Sequence, residues 1–321
     1  MAGFLASVPG KLNNLLNRLT EARANNLDNC NAPISDCAKT SDTRFNHLDL
    51  DISKSLAVLR VEEFFSTTSF TIPSDVYLLM VELLVGGGGG GGGGAGGGDN
   101  NTFGDGGGGG GGAETIFQYP IRVSPGDTIQ VVIGSGGAGG TGGNPTQDGT
   151  DGWYGGVSYI KRNGVAVVGA LGGAPGHGGI YHHTQYVQVK GGQPRAYYNF
   201  EFNVPGTAGG DGGNATNHYA ATSGGTLLYP YWGGVAGSPH SDRGGGGGGS
   251  TIRGRGGGGG DGASDSDNKP ADPGANGQGP GAGGGGGGGG TSSSTSAYKY
   301  GKDGGDGHGG YALISFLGAK S

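Results

Sequence analysis

Nine consecutive glycines follow Val85 in the stretch MVELLVGGGGGGGGGAGGGDNN, residues 80–101. Glycine loses more backbone entropy on folding than any other residue. Such a run is either a loose linker or part of a packed element without side chains. Further runs lie at 106–112, 244–249, 256–260 and 283–290, and strand-forming sequence brackets them. Free linkers do not need five runs placed in this way. An extended glycine chain can adopt polyproline II geometry, with three residues per turn and about 3.1 Å rise per residue. Several such chains can lie side by side and hydrogen-bond to one another, which satisfies their backbone groups. The flanking Val, Leu and Ile strands must then offset the entropy cost.

Composition narrows the classes. The chain has 85 Gly and 14 Pro in 321 residues, but no G-X-Y period, so it is not collagen. Its net charge of −6 argues against nucleic acid as a partner. The longest apolar run, 76–85, is about half what a bilayer needs. The N-terminus MAGFLASVPGKLNNLL lacks the format of a signal peptide, which points to assembly in a cytoplasm. Cys30 and Cys37 are too few for a disulfide scaffold.

Composition shifts near residue 60, so the sequence divides into a module at 1–60 and a glycine-rich domain at 61–321. Leu5, Val8, Leu12, Leu15, Leu19 and Ala22 alternate steps of three and four, a coiled-coil-like helical seam. Phe45, Leu48, Ile52 and Leu59 continue it, with Leu56 beside it. A seam this short buries little by itself, which predicts pairing with copies, most simply as a homotrimer. From Leu59 the period becomes strand-like. Turn signals stand at Pro73-Ser74-Asp75, at Ser124-Pro125-Gly126-Asp127 and at Asn163-Gly164. Tyr311 to Leu317 reads as a closing strand. The fold class expected is therefore a short helical N-terminal module followed by an all-β domain with packed polyglycine-II helices.

The stretch FTIPSDVYLLMVELLVGGGGGGGGGAGGG resembles the opening of glycine-rich domains in bacteriophage tail-fibre and tail-tip proteins. IRVSPGDTIQVVIGSGGAGGTGG resembles a second block of that group, and GGVSYI and GHGGYALISF its later strands. LTEARANNLDNCNAPIS resembles repeats of phage tail and fibre proteins, with Cys30 where those carry Leu. The resemblance implies a virion tail protein, attached through its N-terminal module to other virion proteins and assembled in the host cytoplasm. It also implies a polyglycine-II scaffold whose loops face a bacterial receptor. It does not extend to 177–243.

No catalytic signature emerges, so an enzyme is not expected, and no cofactor is implied. His177, His182 and His183 lack the companions of a metal site. Asp265, Asp267 and Asn268 lack the glycine of a calcium loop, and no metal site is assigned. Neither a P-loop nor a basic patch is present, so no nucleic acid is expected; Arg253 and Arg255 stand alone. Aromatic residues instead concentrate in 177–243. Tyr198, Phe200 and Phe202 alternate as in a small β core. Tyr181, Tyr219, Tyr229, Tyr231 and Trp232 are the receptor-binding candidates, because Tyr and Trp suit exposed recognition. Their ligand is a glycan or an outer-membrane protein. Two other readings stay open: a purely structural virion decoration, and an extracellular glycine-rich binding protein unrelated to phage.

Overall fold

Strand-forming residues gather into two antiparallel sheets, and the glycine segments pack into a bundle beyond them. The computed structural model describes residues 56–97, 103–181, 189–193, 195, 203–213, 220–226, 233–237, 243–264, 269–291 and 300–319. Val58–Leu317 belong to one compact unit.

The strands are β1 (Leu56–Phe64), β2 (Thr68–Thr71), β3 (Val76–Val85), β4 (Thr115–Arg122), β5 (Thr128–Val132), β6 (Ser158–Arg162), β7 (Val165–Ala170), β8 (Asn203–Val204) and β9 (Tyr311–Ala319). One sheet has the order β1-β9-β3-β4-β8 and the other β2-β5-β6-β7. Leu79 and Val81 of β3, Ile314 and Phe316 of β9, Ile129 and Val131 of β5, and Ile160 of β6 form the core between them. The turns follow local chemistry. Gly126, at φ 87°, sits after Pro125 in a turn closed by the Asp127 amide on the Ser124 carbonyl at 3.0 Å. Asn163 and Gly164, at φ 50° and 84°, make the type I′ hairpin between β6 and β7.

The expected fold class does not hold as stated. The described residues contain no helix, and they are all-β with two antiparallel sheets. Most of the expected helical module, with Cys30 and Cys37, falls outside the described residues. Leu56 and Leu59 lie in β1, beside β9. A period of three or four over so short a stretch is ambiguous, and pairing with β9 satisfies the backbone there.

The glycine segments form fourteen extended rods among the described residues, joined by backbone hydrogen bonds repeating every three residues. In chain order, rods 1–7 are 86–97, 104–113, 134–144, 147–156, 171–180, 189–193 and 206–213. Rods 8–14 are 222–226, 233–237, 243–250, 255–263, 272–278, 281–291 and 301–310. Rod 1 shows the rule. Its amides at Gly89, Gly90 and Gly91 donate in turn to Gly111 of rod 2, Trp153 of rod 4 and Gly305 of rod 14. Its carbonyls at Gly89, Gly90 and Gly91 accept in turn from Gly284 of rod 13, Gly176 of rod 5 and Gly140 of rod 3. Rod 1 thus has six neighbours.

Rods 2, 10 and 13 also have six neighbours each, and the other ten rods close a ring around these four. The four inner rods hold the runs 86–94, 106–112, 244–249 and 283–290. The cause is steric: a Cβ at Gly90 would overlap the Ala138 carbonyl, and one at Gly110 the Gly89 carbonyl. Rim rods need glycine wherever they closely face another rod, inner or rim, and take side chains at their outward positions. In rod 3, Ser135, Ala138, Thr141 and Asn144 recur every third residue and all are exposed.

Candidate functional site

Successive rods run in opposite directions. Rod 1 pairs antiparallel with rod 2, through Gly89 with Gly111 and Gly92 with Gly108. Rods 7 and 8 do the same, through Asp211 with Thr222 and Ala208 with Gly225. Odd rods therefore leave the sheets and even rods return. Rods 1, 3, 5, 7, 9, 11 and 13 thus end, and rods 2, 4, 6, 8, 10, 12 and 14 begin, at the end far from the sheets. This far end is the candidate functional site.

At its centre the entrances of two inner rods meet. The Arg243 guanidinium lies over the Phe103 ring, 4.1 Å from its centre, and donates to the Ala263 carbonyl at 2.9 Å. The 145–146 turn is closed by the Gln147 amide on the Asn144 carbonyl at 3.0 Å, with Thr146 at φ 64°. Ser264 and Lys269 exchange backbone hydrogen bonds across another connection. The Lys269 ammonium reaches Asp261 at 2.8 Å and Asp272 at 3.0 Å. Hydrogen bonds to these two carboxylates, Asp261 first, raise its pKa above the ordinary lysine value. Lys190 pairs with Asp211 at 3.1 Å.

Tyr181 stands at this end, half-buried, with its amide donating to Asp148 Oδ1 at 2.6 Å and a backbone bridge to Gly104. Tyr219 falls outside the described residues. Tyr229, Tyr231 and Trp232 also fall outside them. Their described flanks, Thr226 and Gly233, lie toward the sheets, where the Gly233 amide donates to Thr226 Oγ1 at 3.1 Å. The rods that precede these candidates therefore lead to opposite ends of the bundle. Tyr198, Phe200, Phe202, His182, His183, Asp265, Asp267 and Asn268 are outside the described residues as well.

His177 faces Asp151, Nδ1 to Oδ2 at 3.4 Å, and both side chains are exposed. Arg253 lies 4.9 Å from the Tyr311 ring centre, and Arg255 bridges to Gln278. Among the described residues no group of three or more His, Cys, Asp or Glu is placed to hold a metal ion.

Sequence reasoning missed the Phe103–Arg243 pair, since only the lattice brings residues 140 apart to adjacent rod entrances. It also missed Trp153 and Tyr154, which are exposed on rod 4. Their signal was the spacing of Gly149, Gly152 and Gly155, with two side chains between each pair.

No curated protein matches the chain. A family model described as a glycine-rich domain matches residues 63–316, which runs from the end of β1 into β9 and includes every other strand and every rod. The chain belongs to this glycine-rich domain family.

Proposed function

We propose that this chain is a receptor-binding protein of a bacteriophage tail tip or tail fibre, presenting its far-end connections to a bacterial surface. The observation that carries this reading is the alternation of the rods, by which seven rods end and seven begin at one end of a bundle braced through its backbone. A rigid scaffold with variable connections at one end is a common solution for recognition. The similarity of the strand and glycine blocks to phage tail domains supplies the virion context. The N-terminal module attaches the chain to other virion proteins as a homotrimer, and several copies strengthen individually weak contacts. The ligand is a surface glycan or an outer-membrane protein.

The test combines location with exchange. Immunogold labelling of intact particles is expected to mark the tail tip. Exchanging 182–188 and 292–299 for the equivalent segments of another family member is expected to change which cells the particle adsorbs to. Adsorption to cells stripped of surface polysaccharide, or treated with protease, then separates the two ligand classes. Labelling on the head or collar, or an unchanged host range after exchange, overturns the proposal in favour of a structural decoration.

A further inference from the structure

We propose a second binding site, for a glycan, on the flank of the bundle at Trp153 and Tyr154, independent of the far end. Rod 4 meets rod 1 through Gly149, Gly152 and Gly155, where a Cβ would overlap rod 1 carbonyls. The two positions between successive glycines face away from rod 1. Trp153 is 70% exposed and Tyr154 61%. Their mounting is stiff. The Trp153 amide donates to Ala138 and its carbonyl accepts from Gly90, both at 2.9 Å.

On the side facing rod 3, polar pairs form tiers about 9 Å apart, one per three residues. Asn144 Nδ2 donates to Gln147 Oε1 at 3.0 Å, and the Thr141 and Thr150 hydroxyls lie 3.1 Å apart. Ala138 with Trp153 is the next tier. On the side facing rod 5, Asp148 and Asp151 accept from the amides of Tyr181 at 2.6 Å and Gly178 at 2.7 Å. Tyr154 is next in that row and stands opposite Pro175, which has no N–H to cap. The lattice therefore explains the two carboxylates and leaves both aromatic side chains without a capping role. The Arg195 guanidinium lies 5.0 Å from the Tyr154 ring centre.

This combination suits a sugar chain. Aromatic faces take the apolar C–H faces of pyranose rings, and the hydroxyls, amides and guanidinium take their hydroxyl groups. The polar tiers repeat along the rod, as hydroxyl groups repeat along a linear glycan. Two rings offer too little apolar area for a stable protein interface. Little ordering is needed on binding, because the backbone is already fixed.

The test uses the full chain and isothermal titration calorimetry with linear hexasaccharides of glucose, of galactose and of N-acetylglucosamine. At least one is expected to bind saturably. Trp153→Ala should weaken it by about tenfold or more, and Tyr154→Ala by several-fold, while Trp153→Phe keeps most of the affinity. Thermal midpoints should not move, since both side chains are exposed. Failure of all three sugars to bind, or an affinity unchanged in Trp153→Ala, overturns the proposal. Exchanging the far-end segments should leave this binding intact, which separates its failure from that of the tail-tip reading.

Discussion

The hydroxyl of Ser158 donates to the carbonyl of Val85 at 2.7 Å, across 73 residues of chain. Its oxygen also accepts from the Gly134 amide at 2.9 Å. Val85 ends β3 and opens onto rod 1, Gly134 begins rod 3, and Ser158 begins β6. All three residues are buried. One hydroxyl thus joins the sandwich to the bundle where backbone groups leave the β ladder. Ser158→Ala orphans a buried carbonyl and a buried amide. It should lower unfolding stability by about 2 kcal/mol or more. Ser135→Ala, at an exposed rim position, should stay within about 0.5 kcal/mol. Denaturant midpoints at constant slope check both.

The inner and rim rods differ in what they tolerate. Gly90 lies in rod 1, and a Cβ there would overlap backbone that six neighbours hold in place. Gly90→Ala should cost about 3 kcal/mol or more, or abolish folding. Gly258 lies in the run 256–260 but in rim rod 11, where the nearest atom to a new Cβ is the Val235 carbonyl oxygen at 3.8 Å. Gly258→Ala should be neutral or add about 0.4–1 kcal/mol by restricting the unfolded chain. Thermal melts of the two variants side by side check the contrast. Equal destabilisation would show that the lattice does not distinguish the two positions.

This contrast marks how far the sequence could be read. The turns at Gly126 and Asn163-Gly164 and the closing strand β9 were legible, because each depends on neighbouring residues. The segments at 189–193, 222–226 and 233–237 were not legible as rods. A rim rod needs glycine only where it closely faces another rod, so its outward positions accept Lys190, Thr222 or Val235 and dilute the signal.

The pH dependence has a definite sign at each extreme. Asp127 accepts hydrogen bonds from Asn163 Nδ2, the Ser124 amide and Arg162 Nε, each at 2.7 Å. These bonds, Asn163 first, hold its pKa below 3.8. A depressed carboxylate contributes stability above its unfolded pKa and loses it as pH falls through the folded value. Asp127→Asn should therefore flatten the loss of melting temperature between about pH 5 and about pH 2. At the other extreme, burial pushes the Tyr311 phenol up from 10.0 to about 12. Its contribution is complete below pH 10 and lost as pH rises through about 12. Tyr311→Phe should remove from an ultraviolet titration a tyrosine that ionises near pH 12.

The rim carries a capping row with one vacancy. Asp303 Oδ1 accepts from the Gly142 amide at 2.7 Å and Asp306 Oδ1 from the Gly139 amide at 2.8 Å. Both carboxylates stand on rod 14 and both amides on rod 3, each pair three residues apart. The next step of the register places Gly309 opposite the Gly136 amide. A Cβ at Gly309 has room, its nearest contact being the Gly134 carbonyl oxygen at 3.6 Å. Asp303→Ala and Asp306→Ala should each cost about 1 kcal/mol, since the capped amides lie at a wet surface. Gly309→Asp should add about 0.5–1 kcal/mol by extending the row and restricting the unfolded chain. Amide exchange reads the mechanism directly. Gly136 should exchange more slowly in Gly309→Asp, and Gly139 faster in Asp306→Ala. A stabilised Gly309→Asp with unchanged exchange at Gly136 would assign the gain to the unfolded state and remove the capping argument.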